Sequence, residues 1–279
     1  MTHNDSLAYW GLSMFPFDDS RNPQFFFPSS KHNEALTRMI YLVKQGNVRL
    51  GMFSGEIGAG KTISSMVLQQ QITSPDRMVV YLPNAYAEFR HLLADLIDKV
   101  SEGSIEFDTF DEYILMKAFE KVFKMNILAK KRSLVVMLDE AQAYSHDSLM
   151  KIKNLTNLGE LVEYPMTFIL IGQPELRKFV KSDESINQRI ALRFHLEYLD
   201  EDEIMEYIKH RLRIAGHPTG EIFSADVMTV CKEATMGIPR EINRFCRLAL
   251  DNARAKQLDF VDRDSLEEVI YDQRVQEGF

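Results

Sequence analysis

Two cysteines in 279 residues, Cys231 and Cys246, are too few for a zinc site and suit buried thiols better than a disulfide framework. No apolar run approaches the roughly 20 residues that a membrane helix needs. The opening Met1-Thr2-His3-Asn4-Asp5-Ser6 has neither the basic start nor the apolar stretch of a secretory leader. A surplus of positive charge is missing too, with 33 Lys and Arg against 41 Asp and Glu and a formal charge of −8. The imbalance is uneven, since residues 199–279 hold 17 of the acids and only 11 of the bases. That argues against a general nucleic-acid coat and leaves room for a local basic patch. These absences lead us to expect a cytoplasmic protein without a membrane span.

What is present is organised around Gly55-Glu56-Ile57-Gly58-Ala59-Gly60-Lys61-Thr62, which reads G-x-x-x-x-G-K-T. It follows the apolar run Leu50 to Phe53 and precedes a helical segment, Ile63 to Ile72. A strand, a Gly-rich turn and a helix N-terminus together make an anion site, because successive backbone N–H groups point at one spot and the helix dipole adds to them. In this motif Lys61 reaches the β- and γ-phosphates and the Thr62 hydroxyl ligates Mg²⁺. Gly55, Ile57, Gly58, Ala59, Gly60, Lys61, Thr62 and Ile63 are therefore the expected nucleotide-binding residues.

Residues 1–30 combine Tyr9, Trp10, Phe15, Phe17 and Phe25-Phe26-Phe27 with Pro16, Pro23 and Pro28. They suggest an N-terminal strap whose aromatics pack onto the nucleotide domain; a partner-docking arm is the alternative. Next comes a helix from Ser29-Ser30 to about Gly46, then the phosphate-loop strand. A short strand is expected at 78–82, closed by Pro83-Asn84, with helices at 87–100 and 109–130. Continuous apolar runs at 134–138 and 167–171 have the pattern of strands covered on both faces, and 191–196 is a weaker one. Strands alternating with helices predict a parallel α/β sheet. From about Leu199 the pattern is helical only: 201–215, 224–235, 239–256 and 263–273. The predicted domains are thus a strap at 1–30, an α/β nucleotide domain at 31–198 and an all-helical lid at 199–279.

The strand 134–138 ends in Asp139-Glu140. An acid at the carboxyl end of a buried parallel strand faces the crevice where open α/β sheets bind ligands. Asp139 is the expected Mg²⁺ holder, with Thr62, and Glu140 the group that polarises the attacking water. The strand 167–171 is followed by Gly172-Gln173-Pro174-Glu175. If these two strands are neighbours, Gln173 emerges beside Glu140, where its amide orients that water. A helix-capping loop amide is the other reading.

With these stretches in hand the chain resembles the AAA+ ATPases, and more narrowly the secretion-ATPase-A family of ExeA/GspA-like proteins with its pilus-biogenesis branch. The resemblance rests on Tyr9-Trp10-Gly11-Leu12, Pro16-Phe17, His32, Glu34-Ala35-Leu36 and the phosphate loop. It continues in Leu138-Asp139-Glu140-Ala141-Gln142, Ile171 to Leu176, Gln188-Arg189-Ile190 and Gly237 to Asn243. The chain is also similar to transposition regulators of the TnsC/TniB kind. The resemblance implies a three-layer P-loop AAA+ domain with a parallel sheet and a small all-helical lid. It casts Gln173 as the sensor of the fourth strand and Arg240 as the lid arginine on the nucleotide of its own subunit. Arg189, with Arg193 as fallback, is cast as the finger that reaches a neighbour's nucleotide, a task suited to a permanently charged fork. A surface salt bridge is the plainer reading of each arginine. His32 is placed where the family frames the adenine, although a helix-start His is commonly only a cap.

The implied function is Mg²⁺-dependent ATP hydrolysis, with ATP and Mg²⁺ bound, coupled to homo-oligomerisation as a ring or filament. The work done is assembly or remodelling of a protein partner in a secretion or pilus-like apparatus. Secretion members continue into a membrane span and a cell-wall-binding region, whereas this chain ends at Phe279. That leads us to expect a short pilus-type member or a mobile-element one. The alternative is an ATP-dependent DNA-binding regulator of transposition, for which Lys117, Lys121 and Lys124, Lys130-Lys131-Arg132, and Arg240, Arg244 and Arg247 are the basic features. A third reading, an ATP-binding signalling switch, has no need of the base Glu140.

Overall fold

The apolar runs form one parallel sheet in the computed structural model, which describes residues 3–18, 21–45, 49–83, 88–106, 109–159 and 166–277. In chain order the first elements are α1 (His3–Tyr9), α2 (Ser30–Gln45), β1 (Leu50–Gly55), α3 (Lys61–Ile72), β2 (Arg77–Leu82), α4 (Phe89–Ser101) and α5 (Glu112–Phe123). Then follow β3 (Ser133–Leu138), α6 (His146–Leu155), β4 (Met166–Gly172), α7 (Pro174–Ser182), α8 (Glu184–Asn187) and β5 (Leu192–Leu196). The chain closes with α9 (Glu201–Ile214), α10 (Val227–Thr235), α11 (Pro239–Ala255) and α12 (Arg263–Glu277). Two compact units result: Asn33–Glu56 with Ser64–Leu196, and Met1–His32 with Ile57–Ile63 and Glu197–Phe279.

The first unit is the α/β one. Its five strands run parallel in the order β2-β3-β4-β1-β5. Every position of β1 and β4 is buried, as a sheet covered on both faces requires. Alternation along β1 shows the two covers, because successive side chains leave opposite faces. Leu50 and Met52 join the core that holds Leu92, Leu93 and Leu96 of α4 and Phe119 of α5, while Gly51 faces Leu42 of α2. This is the three-layer α/β arrangement.

The helix expected over 109–130 is shorter and interrupted. The Asp111 carboxylate accepts the Ile114 N–H and starts α5 at Glu112. After Phe123 the backbone widens into a π turn over Lys124–Leu128. Ile127 is buried there, and the Asn126 amide donates to the Val100 carbonyl at the end of α4. That pull is tertiary and leaves no mark on the local pattern. Helices α1, α6 and α8 were not anticipated; Ser145 caps α6 by accepting the Ser148 N–H. The helix end near Gly46, the turn at Asn84 and residue 87 lie outside the described residues.

The second unit is helical. Ile204, Tyr207, Ile208 and Leu212 of α9, Val227 and Cys231 of α10, Ile242, Phe245 and Cys246 of α11 and Leu266 of α12 form its core. Both thiols are buried and free. The strap corrects an expectation: Trp10, Phe17 and Phe25 are buried in this helical core, not on the α/β sheet. The cause is visible in Arg211, only 4% exposed. Its guanidinium donates to the Pro16 and Asp18 carbonyls and to the Tyr207 hydroxyl, and it lies 4.5 Å from the centre of the Phe25 ring. One fixed, permanently charged fork thus satisfies two strap carbonyls, that of buried Pro16 among them.

Candidate functional site

The phosphate loop connects β1 to α3, and α3 begins at Lys61. The N–H groups of Lys61, Thr62 and Ile63 therefore fall in the first turn of a helix, which has no internal partners for them. Gly58 (φ +80°) and Gly60 (φ +97°) take left-handed conformations, and this sequence of conformations turns consecutive amides toward one side. A Cβ on Gly58 would stand 2.8 Å from the Arg240 Cβ, and one on Gly60 would stand 2.9 Å from the His32 Nε2. Glycine is required at both places by backbone and by space. Ala59 is fully buried and Lys61 only 8% exposed, whereas Ile57 is exposed. Lys61 places a cation at the same helix start, where its charge adds to the dipole's attraction for an anion. The donor set thus fits a polyphosphate.

Two residues brace the loop within the helical unit. The Arg240 N–H, in the first turn of α11, lies 3.4 Å from the Gly58 carbonyl; its side chain is exposed. His32 is 5% exposed, with Nε2 3.2 Å from the Ala59 carbonyl and Nδ1 2.7 Å from the Ser29 hydroxyl. The carbonyl can only accept, so Nε2 carries the proton and Nδ1 accepts from Ser29. His32, which the resemblance casts as framing the adenine, is bonded to the loop backbone. Burial lowers its pKa to about 4, against smaller raising effects from the Ala59 bond and the Glu203 carboxylate.

That shift has a sign. The unfolded chain takes up a proton near 6.5, whereas the folded one does so only near 4. The stabilisation from neutral His32 is therefore full above pH 6.5 and lost as pH falls toward 4, a change on the order of 3 kcal/mol. Urea midpoints measured from pH 7 to 4 should fall more steeply for the native chain than for His32→Asn. Equal slopes would remove His32 as the cause.

In the α/β unit, Asp139 follows β3 and is 2% exposed. Its Oδ2 accepts the Tyr81 hydroxyl at 2.6 Å, and its Oδ1 accepts the Glu140 N–H at 2.9 Å. Glu140 is left-handed at φ 53°, a conformation costly for a residue with a Cβ and typical of functional turns. Its Oε2 accepts the Gln142 amide at 2.6 Å and the Gln173 amide at 3.2 Å. The condition for the Glu140–Gln173 meeting is met, because β3 and β4 pair in parallel with Leu138 beside Leu170. β4 in turn pairs with β1, whose end carries Gly55 and leads into the loop. Sequence reasoning gave no role to Tyr81 or Gln142. A tyrosine late in a strand and a glutamine after an acid pair are signals too common to single out.

Arg189 and Arg193 lie apart from this cluster. Arg189 is exposed and precedes β5, while Glu140 follows β3 and Gln173 follows β4. In a parallel sheet those are opposite ends, a strand's length of roughly 15–20 Å apart. Arg193 is bonded through its guanidinium to the Asn187 carbonyl and side chain.

Comparison with known proteins gives a consistent picture. The family described as "AAA domain" matches residues 45–180. General secretion pathway protein A of Aeromonas hydrophila is 33% identical over 257 residues, which is 89% of this chain and 45% of that protein. The chain thus spans under half the length of this relative. Among solved structures, the Aeropyrum pernix ORC2 protein (ADPNP-ADP complexes) aligns with a TM-score of 0.69 at 14% identity, covering 92% of this chain and 71% of that one. The Aeropyrum pernix ORC1 protein in complex with DNA also gives 0.69, at 12% identity, covering 93% of this chain and 69% of that one.

Proposed function

Since the chain belongs to the AAA+ P-loop ATPases, we propose that it hydrolyses ATP with Mg²⁺ and uses the cycle to assemble or remodel a protein partner of a secretion or pilus-like apparatus. The observation that carries this reading is the strand order. Placing β4 between β3 and β1 sets an amide, Gln173, at the end of the strand next to the one that leads into the phosphate loop, and a carboxylate, Glu140, at the end of the strand beyond it. The backbone amides at 58–63 and Lys61 bind the phosphates. Glu140 takes the proton of the attacking water, and Gln173 orients it. Thr62 and Asp139 are the residues that would hold Mg²⁺, which would neutralise charge on the phosphate oxygens. Arg240, on the helix whose first N–H reaches Gly58, contacts the nucleotide of its own chain.

Arg189 has a different place in this scheme. Standing at the far end of the sheet from Glu140, it serves the nucleotide of a neighbouring copy, so ring or filament formation completes the site. The partner class follows from the similarity to General secretion pathway protein A. The cytoplasm is the proposed compartment, on the two free thiols. Among the described residues no helix is long and apolar enough to cross a membrane.

The second reading, DNA-bound regulation of transposition, is favoured by one feature. Lys117, Lys121 and Lys124 are all exposed along α5 and its π turn, with Lys117 paired to Glu120 at 3.0 Å. ATPase rate measured against protein concentration, with and without double-stranded DNA at two salt concentrations, separates the two. A rate that climbs with concentration and ignores DNA supports the partner-assembling ATPase. Stimulation by DNA that added salt erases would give the transposition reading first place.

A further inference from the structure

Gln142 lies two residues past Glu140, in the short 3₁₀ turn Ala141–Ala143, and its amide is used at both ends. Oε1 accepts the backbone N–H of Gln173 at 3.0 Å, and Nε2 donates to the Glu140 Oε2 at 2.6 Å. A backbone N–H can only donate and an ionised carboxylate can only accept, so the amide fits in one orientation. Gln173 closes the ring with its own amide on the same Oε2. The space for this arrangement comes from Gly172, where a Cβ would stand 2.5 Å from the Gln142 Oε1. Any larger residue at the end of β4 would push the Gln142 side chain away.

The ring has a chemical consequence. Both amide donors engage Oε2, and among the described residues Oε1 is the oxygen left to receive a proton. Neither Glu140, held at a left-handed φ of 53°, nor Gln173, the single residue between β4 and α7, is positioned by its own strand alone. Gln142 ties one to the other across β3 and β4.

We propose that Gln142 is the positioning residue of the hydrolytic site, fixing the Glu140 carboxylate and the Gln173 backbone as one hydrogen-bonded unit. This rests on the reading of Glu140 as the base for ATP hydrolysis. Gln142 acts through Glu140 and Gln173, to which its amide is bonded. Its effect is on turnover and not on nucleotide affinity.

Two variants test the role, with the full chain, steady-state ATP hydrolysis at pH 8 and a nucleotide-binding titration. Gln142→Met keeps the volume and loses both bonds. Gln142→Glu keeps the acceptor for the Gln173 N–H and replaces the donor by a carboxylate facing Glu140. Each is expected to lower kcat by about 10–100-fold at pH 8, short of the roughly 10²–10⁴-fold that a general base supplies, with KM for ATP within about threefold. A purely structural role would lower kcat and raise KM together in both variants. That result, an unchanged kcat, or a loss confined to KM would overturn the proposal while native turnover stands. No turnover by the native chain at any concentration would take down the ATPase reading and this role with it.

Discussion

Glu140→Gln should bind ATP as the native chain does and turn it over about 10²–10⁴ times more slowly, the contribution of a positioned general base. The substitution keeps the shape of the side chain and leaves an amide oxygen to accept the Gln142 and Gln173 donors. The turn after β3 is therefore expected to survive intact. What is lost is the oxygen that can take a proton, because an amide does not do so at neutral pH. Single-turnover hydrolysis and a binding titration with a fluorescent ATP analogue separate the two effects. Near-native hydrolysis would take the base role away from Glu140. Because Arg189 is proposed to act on a neighbour's nucleotide, the same variant mixed with Arg189→Ala subunits should recover part of the activity that either lacks alone.

Lys61→Ala is the second large effect, and it should appear in binding. The Lys61 ammonium is nearly buried at the start of α3, beside amides that already carry partial positive charge. That arrangement favours a polyphosphate. Without nucleotide, Lys61→Ala is expected to melt close to the native chain. With ATP at 100 times the native dissociation constant, the native chain gains about 2.7 kcal/mol of stability. The variant should gain essentially none. A nucleotide-dependent melting shift that persists in Lys61→Ala would sink the assignment of the phosphate loop.

Much of this architecture was legible because it is written in local pattern. β1, β3 and β4 are short apolar runs with no polar alternation, and such runs are stable only when covered on both faces. The lid helices carry their own start signals: Asp200 and Glu203 form a reciprocal cap at α9, and Pro239 occupies the first turn of α11. α5 was less legible, since the break after Phe123 depends on Asn126 reaching the Val100 carbonyl in another helix. The strap was half legible. Its aromatics announce burial, but hydrophobicity has no address, and the contact that selects the helical core is the fork of Arg211.

The candidate site divides in the same way. By themselves the residues 55–62 determined the phosphate loop, because glycines at positive φ followed by a helix start are backbone requirements that a local segment meets alone. They also determined that an acidic pair ends a buried strand. Only the tertiary structure decided that β4 lies between β3 and β1, and with it that Gln173 meets Glu140. Strand order depends on which faces pack and how crossovers run, and no residue encodes it singly. The same holds for Tyr81 on Asp139, Gln142 between Glu140 and Gln173, and His32 on the Ala59 carbonyl. Each joins residues from separate elements through a directional hydrogen bond, whose partner exists only once the chain has closed around it.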